Sequence, residues 1–210
     1  MKDLILIGSG GCMQELLYQI ENLNKVEPAW NVMGFVDREK TENTECPYLG
    51  DDDWLLSYNK SVSVCLSVQE PALRRKLFEL YRKNPRLEFP VIRMLDTYVA
   101  DSTSIGDGTI LCENTRITNH GTVGKCCFLN IGAQIHHEAK IADFVTIAPN
   151  ATIAGNVTIQ DGSYIGMGAN VIQGITIEKN AVIGAGAAVV RDIPENATAV
   201  GVPARVIKRK

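Results

Sequence analysis

The residues best suited to acid–base chemistry lie in the stretch "IHHEAKIADF" at positions 135–144. The chain contains three histidines, and two of them, His136 and His137, are adjacent and followed directly by Glu138. Imidazole changes charge closest to neutral pH, and a carboxylate beside it favours its charged form. The stretch could therefore provide a general base with an acidic partner, or two surface histidines in a turn. Because consecutive strand residues point in opposite directions, only one histidine can face a site.

A six-residue repeat must position these side chains. Every sixth residue from Val99 to Val189 is Ile, Leu or Val, and the residue four positions later is usually small. Six residues make one short strand and one corner, so three repeats close a triangular turn. The pattern predicts an all-β parallel β-helix of about five stacked coils over residues 91–210.

A different pattern precedes the repeat. The segments "KDLILIGSGG", "CMQELLYQIENL" and "WNVMGFVDRE" indicate a strand, a glycine turn, a helix and a second strand that ends near an acid. We therefore expect an α/β domain over residues 1–90. The turn matches the first two glycines of the dinucleotide-binding fingerprint, but Met13 stands where the third belongs. The glycines could serve a tight turn alone, or amide groups at the helix start could hold a nucleotide-like ligand with Asp37.

Composition restricts the partners and the compartment. A net charge of −3 provides no bulk attraction to nucleic acid. No apolar run approaches ~18 residues, so no membrane span is predicted, and the opening "DLILIG" is too short for the core of a signal peptide. The six cysteines show no CxxC pairing, which is typical of reduced thiols. We expect a cytoplasmic protein.

The complete arrangement resembles the hexapeptide-repeat acyltransferases that modify nucleotide-linked amino sugars, above all the UDP-4-amino-sugar N-acetyltransferases. The similarity rests on the "GSGG" turn, the "GFVDRE" strand end, the pair His137-Glu138, "IGAGAAVVRDIP" and the closing "AVGVPARVIKR". It implies a Rossmann-like domain followed by a left-handed β-helix. In this family a V-G-x-P-A segment helps to form the acyl-CoA site, and Val200–Ala204 matches it.

The resemblance also implies roles for individual residues. His137 would be the general base, and Glu138 would raise its basicity. The contacts implied for the sugar nucleotide are Gly10, Gly11, Cys12, Asp37, Arg38 and Ser67. Those implied for acetyl-CoA are Thr146, Met167, Ala185, Gly201 and Pro203. This chain departs from the family at Cys12, where a histidine is common, and at Thr146, which replaces the histidine on the CoA side.

Stacking of the repeats predicts the neighbours of the candidate base. Residues 18 apart should lie one above the other, which places Asn119 below His137 and Gly155 above it, with His120 one residue away. We expect Asn119 and Gly155 to contact the acceptor and the glycine to leave an open notch, while His120 either contacts the substrate or is a plain surface residue. Met167 and Ala185 belong to a different corner of the triangle. A site that joins both corners must lie between subunits, which predicts a homotrimer.

The predicted reaction is transfer of acetyl from acetyl-CoA to the amino group of a nucleotide-linked sugar, of the 4-amino-4,6-dideoxy type, in polysaccharide or glycan biosynthesis. A sugar O-acetyltransferase, such as a sialic acid enzyme, would use the same base and donor. A zinc-dependent hydratase of this architecture needs three histidine ligands around each metal, and the histidine spacing here does not fit, so no metal is expected. A non-catalytic scaffold is a further alternative, and the intact "VGVPA" segment argues against it.

Overall fold

The first part of the chain forms a parallel sheet with helices on both faces. A computed structural model describes residues 1–41 and 46–209. The elements are β1 (Lys2–Ile7), α1 (Gly11–Val26), β2 (Trp30–Val36), β3 (Tyr48–Gly50), α2 (Asp52–Leu56), β4 (Val62–Leu66), α3 (Pro71–Tyr81) and β5 (Leu87–Glu88). The sheet order is β3-β2-β1-β4-β5, and every neighbouring pair is parallel. Helices and parallel strands are thus present in this region, as the sequence pattern indicates, and the carboxyl ends of the strands meet at one edge.

The second part is a β-solenoid, as the six-residue repeat predicts. Its strands are β6 (Ile92–Arg93), β7 (Tyr98–Val99), β8 (Ser104–Ile105), β9 (Ile110–Leu111), β10 (Arg116–Ile117), β11 (Thr122–Val123), β12 (Phe128–Leu129), β13 (Gln134–Ile135), β14 (Lys140–Ile141), β15 (Thr146–Ile147), β16 (Thr152–Ile153), β17 (Thr158–Ile159), β18 (Tyr164–Ile165), β19 (Asn170–Val171), β20 (Thr176–Ile177), β21 (Val182–Ile183), β22 (Ala188–Val189), β23 (Ala197–Val200) and β24 (Arg205–Arg209). Successive coils pair in parallel across 18 residues, as Ile135 does with Ile117 and Ile153. The repeating aliphatic and small residues form one continuous buried core.

The corners of the solenoid share one backbone conformation. Every sixth residue from Gly108 to Gly186 has a positive φ angle. Glycine and asparagine tolerate this left-handed conformation, and they occupy most of these corners. The residues that depart from this rule are His120, Cys126, Glu138 and Phe144.

A buried arginine joins the two parts. Arg74 of α3 donates from Nε to the carbonyl of Cys126 (2.7 Å) and from Nη2 to the carbonyl of Phe144 (3.0 Å), which are two of the unusual corners. Its Nη1 donates to the carbonyls of Val68 and Gln69 at 2.8 and 2.9 Å. Burial lowers the pKa of Arg74 to about 10, and the guanidinium therefore remains charged at neutral pH. The α/β sheet is thereby held against one corner of the solenoid.

The last strand differs in direction from the rest of the solenoid. β23 continues the parallel stack on β21, but β24 turns back and pairs with β23 in the antiparallel sense.

Among the described residues, no helix has both the length and the apolar character needed to cross a membrane.

Candidate active site

The candidate base and its acidic neighbour lie on the corner between β13 and β14. His137 Nδ1 is 3.2 Å from Glu138 Oε2, and the two side chains are 57% and 62% exposed. Glu138 has a φ of +59°, in the left-handed region. That conformation costs roughly 1–2 kcal/mol for a residue with a Cβ, and the corner of the coil imposes it at position 138 as it does at every sixth residue.

The predicted column around His137 is present. Glu138 N–H donates to the carbonyl of Asn119 (3.0 Å), and Asn156 N–H donates to the carbonyl of His137 (2.9 Å), which sets Asn119, His137 and Gly155 in register. His120 lies in the coil below, and its N–H donates to Ser102 Oγ (3.0 Å).

The prediction of an open notch at Gly155 is wrong. A Cβ built on Gly155 would lie 2.4 Å from both Cε1 and Nε2 of His137. The imidazole therefore leans over the glycine and fills the space. His136 stands one column away, half-buried, with its N–H bonded to the carbonyl of Ile153. Gly155 thus accommodates the ring of His137.

The six residues that the resemblance implies for the sugar nucleotide lie around one cavity. This cavity, of about 540 Å³, opens at the carboxyl edge of the parallel sheet. Its lining includes Gly10, Gly11, Cys12, Asp37, Arg38 and Ser67. The glycines stand at the start of α1, and a Cβ on either would meet nothing within 4 Å. Backbone amides at the start of a helix are suited to a phosphate group.

The polar groups of the cavity are held by hydrogen bonds. Ser9 Oγ donates to Asp37 Oδ2 (2.6 Å), and Arg38 N–H donates to Asp37 Oδ1 (2.7 Å). Ser67 Oγ donates to the carbonyl of Ile7. Burial raises the pKa of the Cys12 thiol to about 11, so the thiol is neutral at physiological pH. An acidic side chain at the end of β2, fixed in this way, is suited to ribose hydroxyls.

Four further residues of the lining belong to no motif in the sequence. Asp52, Leu73, Leu77 and Tyr81 also face this cavity, and the Tyr81 hydroxyl donates to Asp52 Oδ1 at 2.5 Å. Asp52 lies in an acidic run that has no periodic pattern, and Tyr81 is the last residue of α3. The leucines of α3 stand at helical spacing, which predicts a helix with an apolar face. That spacing does not show that the face lines this cavity.

The residues implied for acetyl-CoA fall into three groups. Met167 and Ala185 share a column with Pro149, because Gly168 N–H donates to the Pro149 carbonyl and Gly186 N–H donates to the Met167 carbonyl. Met167 is 58% exposed. This column stands on the corners that follow β15, β18 and β21, whereas His137 follows β13.

Gly201 and Pro203 lie in the turn between β23 and β24, where Ala204 N–H donates to the carbonyl of Ala188. Thr146 is completely buried. Its hydroxyl donates to the carbonyl of Gln69 (2.6 Å) and accepts from Arg74 Nη2 (3.0 Å). The expectation that Thr146 contacts acetyl-CoA is therefore corrected to a structural role between the two parts of the chain.

A second cavity, of about 620 Å³, separates the start of α3 from the solenoid. It shares Gln69 and Glu70 with the first cavity, and its opposite wall includes Tyr164, Asn180 and Asn196. His137 is absent from the described residues that line either cavity. Within the part of the chain that the structure describes, no group of three or more His, Cys, Asp or Glu side chains is placed to hold a metal ion.

The chain joins a β-solenoid of six-residue repeats to a parallel α/β domain that carries the first cavity. This is the architecture of hexapeptide-repeat sugar N-acetyltransferases, and comparisons with known proteins confirm that resemblance. No protein-family profile matches the chain. Over 123 residues it is 37% identical to the GDP-perosamine N-acetyltransferase of Escherichia coli O157:H7, covering 56% of each chain. Over 108 residues it is 30% identical to the bifunctional protein GlmU of Shouchella clausii, covering 51% of this chain and 22% of that protein. The matched region thus spans about half the length, or less, of these curated relatives.

Solved structures extend the similarity along the chain. The acetyltransferase domain of PglB from Neisseria gonorrhoeae, in complex with acetyl coenzyme A, has a TM-score of 0.89 and 26% identity, covering 98% of this chain and 99% of that one. PerB from Caulobacter crescentus, in complex with CoA and GDP-perosamine, has a TM-score of 0.87 and 25% identity, covering 99% and 98%. WeeI from Acinetobacter baumannii has a TM-score of 0.87 and 27% identity, covering 99% and 100%.

Proposed function

We propose that this protein is an acetyl-CoA-dependent acyltransferase that acetylates the amino group of a nucleotide-linked amino sugar. The observation that carries the proposal is the similarity over 99% of the chain to a structure described as a complex with CoA and GDP-perosamine. The cavity at the start of α1 supports it, because all six residues implied for the sugar nucleotide line its wall. A 4-amino-4,6-dideoxy sugar is the proposed acceptor, and the setting is polysaccharide or glycan biosynthesis.

The proposed chemistry is direct transfer. The sugar amine attacks the thioester carbonyl carbon of acetyl-CoA, the amine loses a proton, and the carbon–sulfur bond breaks to release CoA. His137 would collect the proton. If its Nδ1–H donates to Glu138, at the observed 3.2 Å, the lone pair of Nε2 is free to accept. Glu138 would fix this tautomer and favour the imidazolium that forms.

The proposed binding residues follow the two columns and the cavity. Asn119, His120 and Gly155 surround the base, and we propose that they form the wall against which the acceptor amine is placed. The sugar nucleotide would occupy the 540 Å³ cavity through the six residues named above. Acetyl-CoA would lie along Met167 and Ala185, with Gly201 and Pro203 at the end of the solenoid.

We propose that the complete site forms between subunits of a homotrimer of left-handed β-helices, each preceded by a Rossmann-like domain. Two observations support this assembly. His137 and the Met167 column stand on different corners of one solenoid, so a neighbouring subunit is needed to bring them together. Ile172 and Val190, in the column above His136, are also exposed apolar residues, which suits a subunit contact.

Acetyl transfer from acetyl-CoA to a panel of nucleotide-linked 4-amino and 3-amino sugars tests the reaction. We expect release of CoA with formation of an N-acetyl product on a 4-amino sugar. Activity restricted to hydroxyl acceptors would instead assign the protein to sugar O-acetylation. Sedimentation of the purified protein tests the trimer, and a stable active monomer would contradict a site shared between subunits.

A further inference from the structure

The wall of the 540 Å³ cavity contains a carboxylate, Asp52, that uses one oxygen to accept from the buried Tyr81 hydroxyl and so joins α2 to α3. Asp51 caps α2 by accepting from Trp54 N–H (3.0 Å), so the neighbouring Asp52 is not needed as a cap. Asp52 Oδ1 accepts the Tyr81 hydroxyl at 2.5 Å. Burial and this hydrogen bond raise the pKa of Tyr81, so the phenol remains protonated and acts as the donor. Tyr81 thereby fixes the orientation of the Asp52 carboxylate.

The second oxygen of this carboxylate remains available. Asp52 Oδ2 makes no hydrogen bond to another residue that the structure describes. Leu73 and Leu77, one helical turn apart on α3, supply apolar surface to the same cavity. An oriented acceptor beside apolar side chains suits a flat heterocycle that carries an N–H donor.

The order of the strands fixes where along a nucleotide Asp52 would act. In the sheet order β3-β2-β1-β4, the glycine turn follows β1, Asp37 follows β2 and Asp52 begins the helix after β3. Asp37 therefore lies between the glycines and Asp52. Two strand spacings separate the turn from Asp52, roughly 10 Å, which matches the reach from the phosphates of a nucleotide across its ribose to the base. Phosphate, ribose and base would follow β1, β2 and β3 in turn.

We propose that Asp52 reads the nucleobase of the sugar nucleotide. Its available oxygen accepts from a base with a ring N–H donor, as guanine and uracil have. Adenine and cytosine would place an acceptor ring nitrogen against the same oxygen and could reach it only through their exocyclic amino groups, so we expect them to bind more weakly. Tyr81 is a positioning residue for Asp52. The inference rests on the proposed function, since it assumes that a nucleotide occupies this cavity.

Calorimetric binding of GDP, UDP, ADP and CDP tests the inference. We expect the wild-type protein to bind GDP or UDP about tenfold or more tightly than ADP and CDP, the range of one hydrogen bond to a charged group. In Asp52→Asn the amide oxygen can still accept from Tyr81, which turns the NH₂ group into the cavity. The variant should therefore lose the preference or reverse it toward ADP or CDP.

Two further variants make the result specific. Asp53→Asn removes a neighbouring carboxylate that is exposed and does not line the 540 Å³ cavity, and it should keep the wild-type preference. Tyr81→Phe leaves Asp52 in place without its donor, so it should weaken discrimination between bases while all four diphosphates still bind through their phosphates. This variant serves if Asp52→Asn does not fold.

The outcomes separate the two proposals. Binding of diphosphates without a base preference, or a preference unchanged in both Asp52→Asn and Tyr81→Phe, would overturn the role of Asp52 and leave the acetyltransferase intact. A preference for ADP or CDP in the wild-type protein would do the same. If none of the four nucleoside diphosphates binds, both the role of Asp52 and the proposal of a nucleotide-linked acceptor are overturned.

Discussion

The imidazole of His137 lies in the space that a side chain at position 155 would occupy, since Cε1 and Nε2 are each 2.4 Å from a Cβ built on Gly155. The glycine belongs to the next coil, 18 residues further along the chain, in the column that the backbone hydrogen bonds define. The position of the candidate base thus depends on a missing side chain one coil above it.

Gly155→Ala should therefore displace the imidazole without unfolding the protein. The φ angle of Gly155 is not in the left-handed region, so the backbone accepts alanine, and the ring must move instead. A shift of about 1 Å in a reacting group can lower the rate about 100-fold. We therefore expect the rate of acetyl transfer to fall by roughly 10–100-fold. Steady-state kinetics measures the loss, and circular dichroism checks the fold.

Gly121→Ala is the matched control for that substitution. Its added methyl group would make only ordinary contacts, the nearest 3.5 Å from the carbonyl oxygen of Ala139, so the rate should stay close to wild type. Full activity in a folded Gly155→Ala protein would show that the observed ring position is not the catalytic one. The Gly155→Leu substitution should abolish transfer for the same reason.

Substitution of each histidine separates the two candidate bases. His137→Ala should lower turnover by about 100-fold or more, the usual contribution of a general base, with little change in the affinity for acetyl-CoA. His136→Ala should cost much less, because that side chain stands one column away. Turnover and acetyl-CoA affinity are measured for both variants, and equal losses of turnover would contradict the assignment of His137.

Glu138 should show a trade between stability and activity. Glu138→Asn places a residue that tolerates the left-handed conformation at a φ of +59° and should stabilise the fold by about 1 kcal/mol. The carboxylate beside His137 is lost, so turnover should fall by about tenfold, a part of the usual contribution of a general base. Thermal unfolding and kinetics provide the two measurements.

Glu138→Gln completes that comparison, because it removes the charge but retains a residue strained in the same conformation. It should lose activity like Glu138→Asn without the gain in stability. If neither variant changed the rate, the carboxylate would have no part in the reaction.

Removal of the Arg74 guanidinium should loosen the joint between the α/β sheet and the solenoid. Arg74→Met leaves buried carbonyl oxygens, including those of Cys126 and Phe144, without their donor. Each such group costs about 1–3 kcal/mol, so the free energy of unfolding should fall by about 3 kcal/mol or more. Denaturant unfolding measures it. Lys76→Met, on an exposed position of the same helix, should have little effect.

Alkylation of Cys12 reports on the occupancy of the cavity. Burial raises the pKa of this thiol from 9.0 to about 11, and the thiolate is the reactive form, so labelling should be slow at pH 7 and accelerate as the pH rises toward 11. GDP or UDP should protect it, as measured by mass spectrometry. Labelling that ignores bound nucleotide would place the ligand elsewhere.

The same raised pKa has a consequence for stability. Because the thiol of Cys12 binds its proton more tightly in the folded than in the unfolded protein, its contribution to stability is complete below pH 9.0 and is lost as the pH rises through about 11. Cys12→Ser should reduce this part of the alkaline destabilisation.

The fold could be predicted from the sequence where the pattern is local and repeated. The aliphatic residue at every sixth position predicts the strands, the inward-facing residues and the stacked columns, because each coil repeats the geometry of the coil below. The prediction of an open notch at Gly155 was wrong, because the repeat predicts the position of the backbone but not the rotamer of the His137 side chain, whose ring fills the notch.

Contacts between distant segments could not be predicted in the same way. The pairing of Asp52 with Tyr81 joins residues that no repeat relates, and both are positioned by the packing of α2 and α3 on the sheet. The resemblance implies an acetyl-CoA contact for Thr146, yet this residue is buried and Arg74, 72 positions earlier, donates to its hydroxyl.

The reversed strand β24 covers the last parallel strand of one of the three sheets of the solenoid. A stack of parallel coils exposes unpaired N–H and C=O groups on its last strand, and another copy could add its own coil there and extend the stack into a fibre. In this protein β24 already occupies that edge on β23, and it runs in the opposite direction. It also carries the cations Arg205 and Lys208, whose charges repel a like edge. We expect this strand to oppose end-to-end polymerisation, and we expect deletion of residues 205–209 to expose the edge of β23 as a template for growth.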